Sequence, residues 1–466
     1  MTENKVIAAV STPPGRGGIA VIRISGEGAV EIASKFFVPR SGAPLTAAHD
    51  RRAVYGEILS AAGEMIDTGI ATVFYSPHSY TGEDTVEISC HGGVALTREV
   101  LASAFAAGCA PAGPGEFTRR AFVNGKLSLT EAEAVIGLID AESGEAIRLS
   151  AAQARGVLSG RLKKLTDEIT SLTASIYAYI DYPDEDMTDM PHSELYGRIC
   201  GLQDELKTLC GSYRTGRAIC EGIPSVIIGK PNVGKSSLLN CLLGRDRAIV
   251  TDIPGTTRDT VEETASIDGV LLRLCDTAGI REPKDEVERL GTVKTGEKTS
   301  EAELVLGVFD ISRPIDGDDE KAAALINEAV SRGAEAVILL NKSELAEAFD
   351  EESIKKLIPE AKAALRISVH DGSGIDALRG LIRDMFGAGD ISYNDAAVLT
   401  NARQYAAVSK ALGFVSSARE TLDAGFTADV AGTDLEAALS ALEETDGRAV
   451  AESIVGEIFS RFCVGK

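Results

Sequence analysis

Three patterns of apolar and polar positions follow one another along this chain of 466 residues. Over residues 1–125, short β-type runs at Val6–Val10, Ile19–Ile24, Ala53–Leu59, Gly69–Phe74 and Thr85–Ser89 stand between Gly/Pro turns, with a helix-like stretch at Gly92–Ala107. This predicts an α+β module. The second pattern starts at Ser128-Leu129-Thr130-Glu131, a capping-box string, and carries apolar residues at helical spacing as far as Tyr182, where Pro183 and an acidic run stop it. It returns from Asn394 through Ala402–Leu422, Asp434–Leu442 and Ala449–Phe459. Between the two helical blocks, strand candidates at Ser225–Ile228, Val270–Cys275, Leu304–Asp310, Ala336–Leu340 and Ala364–Ile367 alternate with helical stretches, the signature of a parallel α/β unit. The expected fold class is multidomain α/β, with an α+β module at 1–125, a discontinuous helical domain at 126–217 and 384–466, and a unit inserted into it at 218–383.

The inserted unit carries the clearest chemistry. Gly229-Lys230-Pro231-Asn232-Val233-Gly234-Lys235-Ser236 lies where its first strand ends and a helix begins. Such a strand, glycine-bounded turn and helix start form a phosphate cradle, because glycines without a Cβ let successive N–H groups, here through Val233 and Gly234, face the phosphates. Lys235 is placed to reach the β/γ oxygens and Ser236 to ligate Mg²⁺, and Ser237 is a further candidate for the nucleotide. After the loop Gly244–Gly255, Thr256-Thr257-Arg258-Asp259 offers a threonine hydroxyl to complete the Mg²⁺ sphere. Asp276-Thr277-Ala278-Gly279 at a strand end brings an acid that can hold the metal through water and a Gly279 N–H for the γ-phosphate. Asn341-Lys342-Ser343-Glu344 and Ser368-Val369 follow later strands. In this order and at these strand ends, the elements predict a P-loop GTPase unit, Ras-like and related to translation factors.

Two departures refine that expectation. Glu344 stands where a guanine-reading motif usually has Asp, whose carboxylate accepts from guanine N1–H and the exocyclic amine, a pair worth roughly 1–3 kcal/mol by analogy with groove readout. GTP is expected to remain preferred, with weaker binding. Ile280 occupies the position where Ras-like enzymes carry the glutamine that orients water, so another group must do so. In the following loop Glu282, Asp285, Glu286 and Glu288 are equally readable as surface charge. Asn232 offers a neutral amide oxygen near the β/γ bridge that could ligate a monovalent cation in the role of an arginine finger.

Charge then limits the partners. With 47 Lys+Arg against 70 Asp+Glu the net charge is −23, which argues against gripping nucleic acid by general phosphate attraction. Residues 1–125 hold 10 basic against 12 acidic side chains, so nearly all the acidity lies beyond them. Eight scattered cysteines form no C-x-x-C pair and five histidines do not cluster with them, which argues against a disulfide framework or zinc site. The apolar runs are strand-sized and Met1-Thr2-Glu3-Asn4-Lys5 opens no targeting pattern, so the chain reads as cytoplasmic with no membrane partner. In the first module Arg23, Glu87 and Lys126 are lone charges beside apolar runs, and spacing alone makes them no site.

Taken together, the chain resembles the MnmE (TrmE) family of tRNA-modification GTPases over nearly its whole length. The residues that carry the likeness are Thr12–Gly18 with Arg23-Ile24-Ser25-Gly26, Tyr80–Asp84 with Cys90-His91-Gly92-Gly93, Pro114–Phe117, the GTPase elements above, and Cys463-Val464-Gly465-Lys466. The resemblance implies that the first module binds folate and builds a homodimer, with Arg23, Glu87 and Lys126 on 5-formyl- or 5,10-methylene-tetrahydrofolate, Lys466 in the same pocket and Cys463 a functional thiol. It implies that Asn232, Thr251, Ile253 and Thr256 hold K⁺, that Glu288 orients the attacking water, and that an FAD-containing MnmG-type partner completes a modification at C5 of the tRNA wobble uridine, installing an aminomethyl or carboxymethylaminomethyl group. Two other readings stay open: a ribosome-assembly GTPase switch whose first module docks RNA, and a folate-binding scaffold with residual nucleotide turnover. The lack of basic and aromatic interleaving in residues 1–125 counts against the first of these.

Overall fold

The structure, a computed structural model, describes residues 5–181, 191–246, 262–275, 301–387, 396–447 and 452–466. It divides into two compact units, Met1–Ile136 with Ser440–Lys466, and Gly137–Leu439.

Among the described residues the first unit is built on a seven-stranded sheet: β1 Ile7–Val10, β2 Ile19–Ser25, β3 Phe37–Pro39, β4 Ala53–Leu59, β5 Met65–Phe74, β6 Thr85–His91 and β7 Ala110–Pro111, in the order β3-β4-β5-β6-β2-β1-β7. All pairings are antiparallel except β1 with β7. Alternation decides which face each side chain takes. Ile22 and Ile24 of β2 and Val86 and Ile88 of β6 are buried in a core that includes Val100 and Ala104 of the helix Val94–Ala107. On the opposite face Ile7 and Ala9 pack with Phe117 of the helix Glu116–Val123. The capping box at Ser128 forms as its string predicts: the Ser128 N–H donates to Glu131 Oε2 at 2.8 Å and the Glu131 N–H to Ser128 Oγ at 3.2 Å. Leu129 and Ala132 of the helix that follows pack on Val455, Phe459 and Phe462, which brings the helix Glu452–Ser460 and the tail beyond it into this unit.

In the second unit the helical stretch expected as far as Tyr182 forms separate helices. Helices Gly144–Ala154 and Val157–Asp181 are separate, the first capped by Ser143 Oγ accepting from the Ala146 N–H at 3.1 Å, and Gly156 turns between them at φ +84°. Helix His192–Cys220 pairs with Ala402–Asp423: Gln203 Nε2 donates to Ser416 Oγ and accepts, through Oε1, from Arg419 Nη1, both at 2.8 Å. Helices from before and after the second sheet therefore pack together. That sheet comprises β8 Ile223–Ile228, β9 Glu262–Ile267, β10 Val270–Cys275, β11 Leu304–Asp310, β12 Glu335–Asn341 and β13 Ala363–Arg366, in the order β13-β12-β11-β8-β10-β9. It is parallel except for β9, which pairs antiparallel with β10 and was not foreseen in the pattern. Apolar clusters cover both faces, as a parallel sheet requires, and every residue of β11 is buried. Among the described residues no helix is long and apolar enough to cross a membrane.

Candidate functional site

At the carboxyl end of β8 the chain turns through Gly229–Gly234 into the helix Lys235–Asp246. The turn needs its glycines: a Cβ on Gly229 would lie 2.3 Å from the Val308 carbonyl oxygen, and one on Gly234, at φ +106°, 2.3 Å from Asn341 Nδ2. Asn232 is also left-handed, at φ +62°, a conformation asparagine tolerates better than most residues. Its side chain is exposed, as are Ser236 and Ser237 in the first helical turn, where unpaired N–H groups favour an anion. Val233 is buried. Lys235 Nζ donates to the carbonyls of Gly229 (2.7 Å) and Lys230 (2.9 Å), lying back across the loop it follows.

The later motifs converge on this loop. Asn341, buried at the end of β12, donates from Nδ2 to the Val233 carbonyl at 2.7 Å and accepts through Oδ1 from the Val369 N–H at 3.2 Å. One side chain thus ties the phosphate loop to the loop after β13, where Ser368 is buried. Lys342, left-handed at φ +66°, donates to Asp310 Oδ2 at 2.6 Å. Asp310 also accepts from Ser312 Oγ at 2.6 Å and Arg313 Nε at 2.9 Å, and its carboxylate is fully buried. Burial pushes its pKa up, but bonds from Lys342, Ser312 and Arg313 outweigh this and hold the carboxyl well below its usual range. Glu344 is exposed in a turn closed by the Leu345 N–H donating to the Lys342 carbonyl at 3.0 Å. The arrangement can seat a polyphosphate at a helix start and present an acid at the rim for a base.

The first unit gathers a second group. Arg23 and Glu87 are directly opposite in the β2–β6 register, and Arg23 Nη2 lies 2.8 Å from Glu87 Oε1. Pointing away from the isoleucine core, the guanidinium sits 5.1 Å from the Tyr80 ring centroid and 5.6 Å from that of Phe117. Its Nη1 is buried with no hydrogen-bond partner among the described residues. Burial raises the Tyr80 pKa against the Thr118 bond and the Arg23 charge. The tail closes in from the other end of the sequence: the Phe117 N–H donates to the Lys466 main-chain oxygen at 3.2 Å, Ser11 Oγ to the Gly465 carbonyl at 2.9 Å, and Pro114 bridges Val464. Burial, then the Arg23 charge, lowers the Lys466 pKa, with Glu87 and Cys463 opposing. Cys463 is exposed. Lys126 is held elsewhere, its ammonium donating to the Pro77 carbonyl at 2.9 Å and its stem lying along Gly82.

Two family models match the chain: GTP-binding protein TrmE N-terminus over residues 6–126 and MnmE helical domain over residues 129–463. A tRNA modification GTPase MnmE from Acetivibrio thermocellus is 39% identical over 467 residues, covering 100% of both chains. The chain belongs to the MnmE family. A MnmE from Symbiobacterium thermophilum is 40% identical over 462 residues, covering 99% of each chain. The crystal structure of the G domain of the T. maritima FeoB iron transporter matches with a TM-score of 0.26 and 23% identity, over 35% of this chain and 97% of that one. As a member of the MnmE family the chain is a GTP hydrolase that takes part in tRNA modification.

Of the expected site residues, Thr251, Ile253, Thr256, Thr257, Asp276, Thr277, Ala278, Gly279 and Glu288 lie outside the described residues. The sequence reading missed Asp310 as the partner of Lys342. The available signal was its place as the last residue of a wholly apolar strand, where an acid needs a cation. It also missed Tyr80 and Phe117 as the rings around Arg23, although both stand in strings that carried the resemblance.

Proposed function

We propose that this chain couples K⁺-stimulated, Mg²⁺-dependent GTP hydrolysis to a folate-dependent modification at C5 of the tRNA wobble uridine, as a cytoplasmic homodimer working with an FAD-containing MnmG-type partner. In this reading Lys235 and the loop N–H groups from Asn232 to Ser237 bind the phosphates of GTP. Ser236 and Thr257 hold Mg²⁺, and Asp276 to Gly279 contact the γ-phosphate side. Asn341, Lys342, Glu344, Ser368 and Val369 read the base. Asn232, Thr251, Ile253 and Thr256 hold K⁺, which supplies positive charge where negative charge develops, and Glu288 orients water. Asn232, exposed and left-handed within the loop, fits a ligand role.

The observation that carries the folate half is the Arg23 group. A buried guanidinium nitrogen without a partner is costly, by about 1–3 kcal/mol, and beside it the Glu87 carboxylate is an acceptor. A pterin ring edge, with donors and acceptors side by side, matches that pair, and Lys466 and Cys463 arrive at it on the tail. Lys126 would border the site from the Gly82 turn. Tetrahydrofolate would supply the one-carbon unit, while Arg23 and Glu87 orient the carrier, Tyr80 and Phe117 wall it from water, and the Cys463 thiol remains accessible.

The test is nucleoside analysis of tRNA from a deletion strain rescued by this chain or by its Cys463→Ser variant, together with GTP turnover in K⁺ and in Na⁺. The expected result is a modified wobble uridine with the wild-type chain, an unmodified one with the variant, and faster turnover in K⁺. An unmodified wobble position with the wild-type chain, or equal turnover in the two salts, would sink the reading.

A further inference from the structure

Lys230, second residue of the phosphate loop, is followed by the exposed arc Pro231-Asn232, yet its own side chain is only 8% exposed. Its ammonium donates to Asp316 Oδ2 at 2.8 Å and to Asp319 Oδ2 at 2.7 Å, and the Asp319 side chain is 5% exposed. Both acids start the helix Gly317–Ser331. Asp316 Oδ1 accepts from the N–H groups of Asp318 (3.0 Å) and Asp319 (3.2 Å), while Asp319 Oδ2 accepts from the Asp316 N–H at 3.1 Å. A helix N-terminus disfavours a cation, and a buried ammonium is tolerated only when well paired. Two carboxylates meet both demands. Burial lowers the Lys230 pKa, but the two acids outweigh it and hold it above its usual value, and Lys230, then the capped N–H groups, bring Asp316 down to about 2.

The far end of the loop is pinned where Asn341 meets the Val233 carbonyl. Lys230 is the counterpart at the near end. The helix it grips is itself fixed, with Ala322, Ala323 and Ile326 buried against the sheet. The Lys230 carbonyl accepts from Lys235 Nζ. We propose that Lys230 is a positioning residue for GTP hydrolysis: clamped by Asp316 and Asp319, it fixes the Gly229–Lys230 backbone, so that the cradle is formed before the phosphates arrive. The proposal rests on the family's GTPase activity, which the wild-type chain's own turnover reports separately.

The test uses the full chain, with equilibrium binding of a fluorescent methylanthraniloyl derivative of GDP alongside GTP turnover. Lys230→Met is expected to weaken GDP about tenfold and raise KM for GTP to match, with kcat within about twofold, because the loop must then be ordered by the ligand. Lys230→Arg is expected to bring GDP binding back to within about threefold, since a guanidinium can serve both carboxylates. A cation with only a fold-holding role would lower Tm and leave GDP affinity unchanged. If Lys230→Met does not fold, Asp316→Asn decides alone: it keeps the capping oxygen, removes one charge, and is expected to weaken GDP about threefold. Wild-type GDP affinity in whichever of these two variants folds, or Lys230→Arg binding no better than Lys230→Met, overturns the proposal.

Discussion

The proposed phosphate site draws its groups from consecutive residues, Gly229 to Ser236, whereas the Arg23 group is gathered from β2, β6, the turn at Tyr80, the helix at Phe117 and the tail at Lys466. In the first case local backbone conformation does most of the work: left-handed Asn232 and Gly234 aim the chain, and Asn341 and Lys230 pin it from outside. In the second nothing is local. Strand register sets Arg23 against Glu87, ring packing sets the depth of the guanidinium, and a few main-chain bonds hold the tail. A contiguous site should therefore fail by loss of a single group, and a gathered site by loss of a single packing contact.

The largest effect expected from this contrast is at Lys235. Replacing it by Ala removes a cation from the phosphate cradle, and kcat/KM for GTP is expected to fall about 10²–10³-fold, the range seen when one preorganised donor is deleted. Calorimetry with 5-formyl-tetrahydrofolate on the same protein should give an affinity within about twofold of wild type, since the Lys235 ammonium donates to the Gly229 and Lys230 carbonyls of its own loop. Folate binding that fell along with GTP turnover would break the separation of the two regions.

The second effect is at Gly465, which touches no expected ligand. At φ +102° a Cβ there would stand 2.2 Å from the Val10 carbonyl oxygen, and that atom is main chain of a buried strand and cannot give way. Gly465→Val should therefore displace the tail, carrying Lys466 and Cys463 away from Arg23, and weaken folate about tenfold while leaving GTP turnover unchanged. Ser11→Ala, which deletes only the 2.9 Å bond to the Gly465 carbonyl, should weaken it less, by about fivefold or under. Normal folate binding in Gly465→Val would show that the tail is not part of that site.

The same contrast explains what could be read in advance. Strands β10 and β11 coincide with their expected bounds, and β8, β12 and β13 differ by a residue or two at their ends, because apolar runs bounded by glycine and charge carry a buried parallel strand in one window. The motifs expected to bind nucleotide are contiguous strings at strand ends, so the sequence alone offers them as candidates. Strand β9, Glu-Glu-Thr-Ala-Ser-Ile, was not legible, since an edge strand needs little apolar content and pairing with β10 supplies its order. Strands as short as Phe37–Pro39 and Ala110–Pro111 leave no period to detect. Alternation in Ile22-Arg23-Ile24 says that Arg23 leaves the core, but 64 residues separate it from Glu87 and only the register makes them neighbours. Lys230 was invisible for a similar reason: its partners lie 86 and 89 residues on, in a capping box that reads as an ordinary helix start.

The smallest effect is the sharpest discriminator, because one change of chemistry is asked of both regions. Glu344 sits exposed in a four-residue turn, free to adjust its reach, while Glu87 is fixed by the strand that carries it and by its 2.8 Å contact with Arg23. Shortening each acid by one methylene should act with opposite sign. Glu344→Asp restores the arm length usual for reading guanine, so GTP binding should tighten about threefold while ATP binding does not change. Glu87→Asp draws the carboxylate back from a guanidinium that cannot follow it, since Arg23 is held between two rings, so folate binding should weaken about threefold. Competition binding for the first and calorimetry for the second measure both. If Glu344→Asp instead weakened GTP, the turn would be as closely fitted to its acid as the sheet is to Glu87, and the division into a locally set site and a register-set one would fail at the base-reading end.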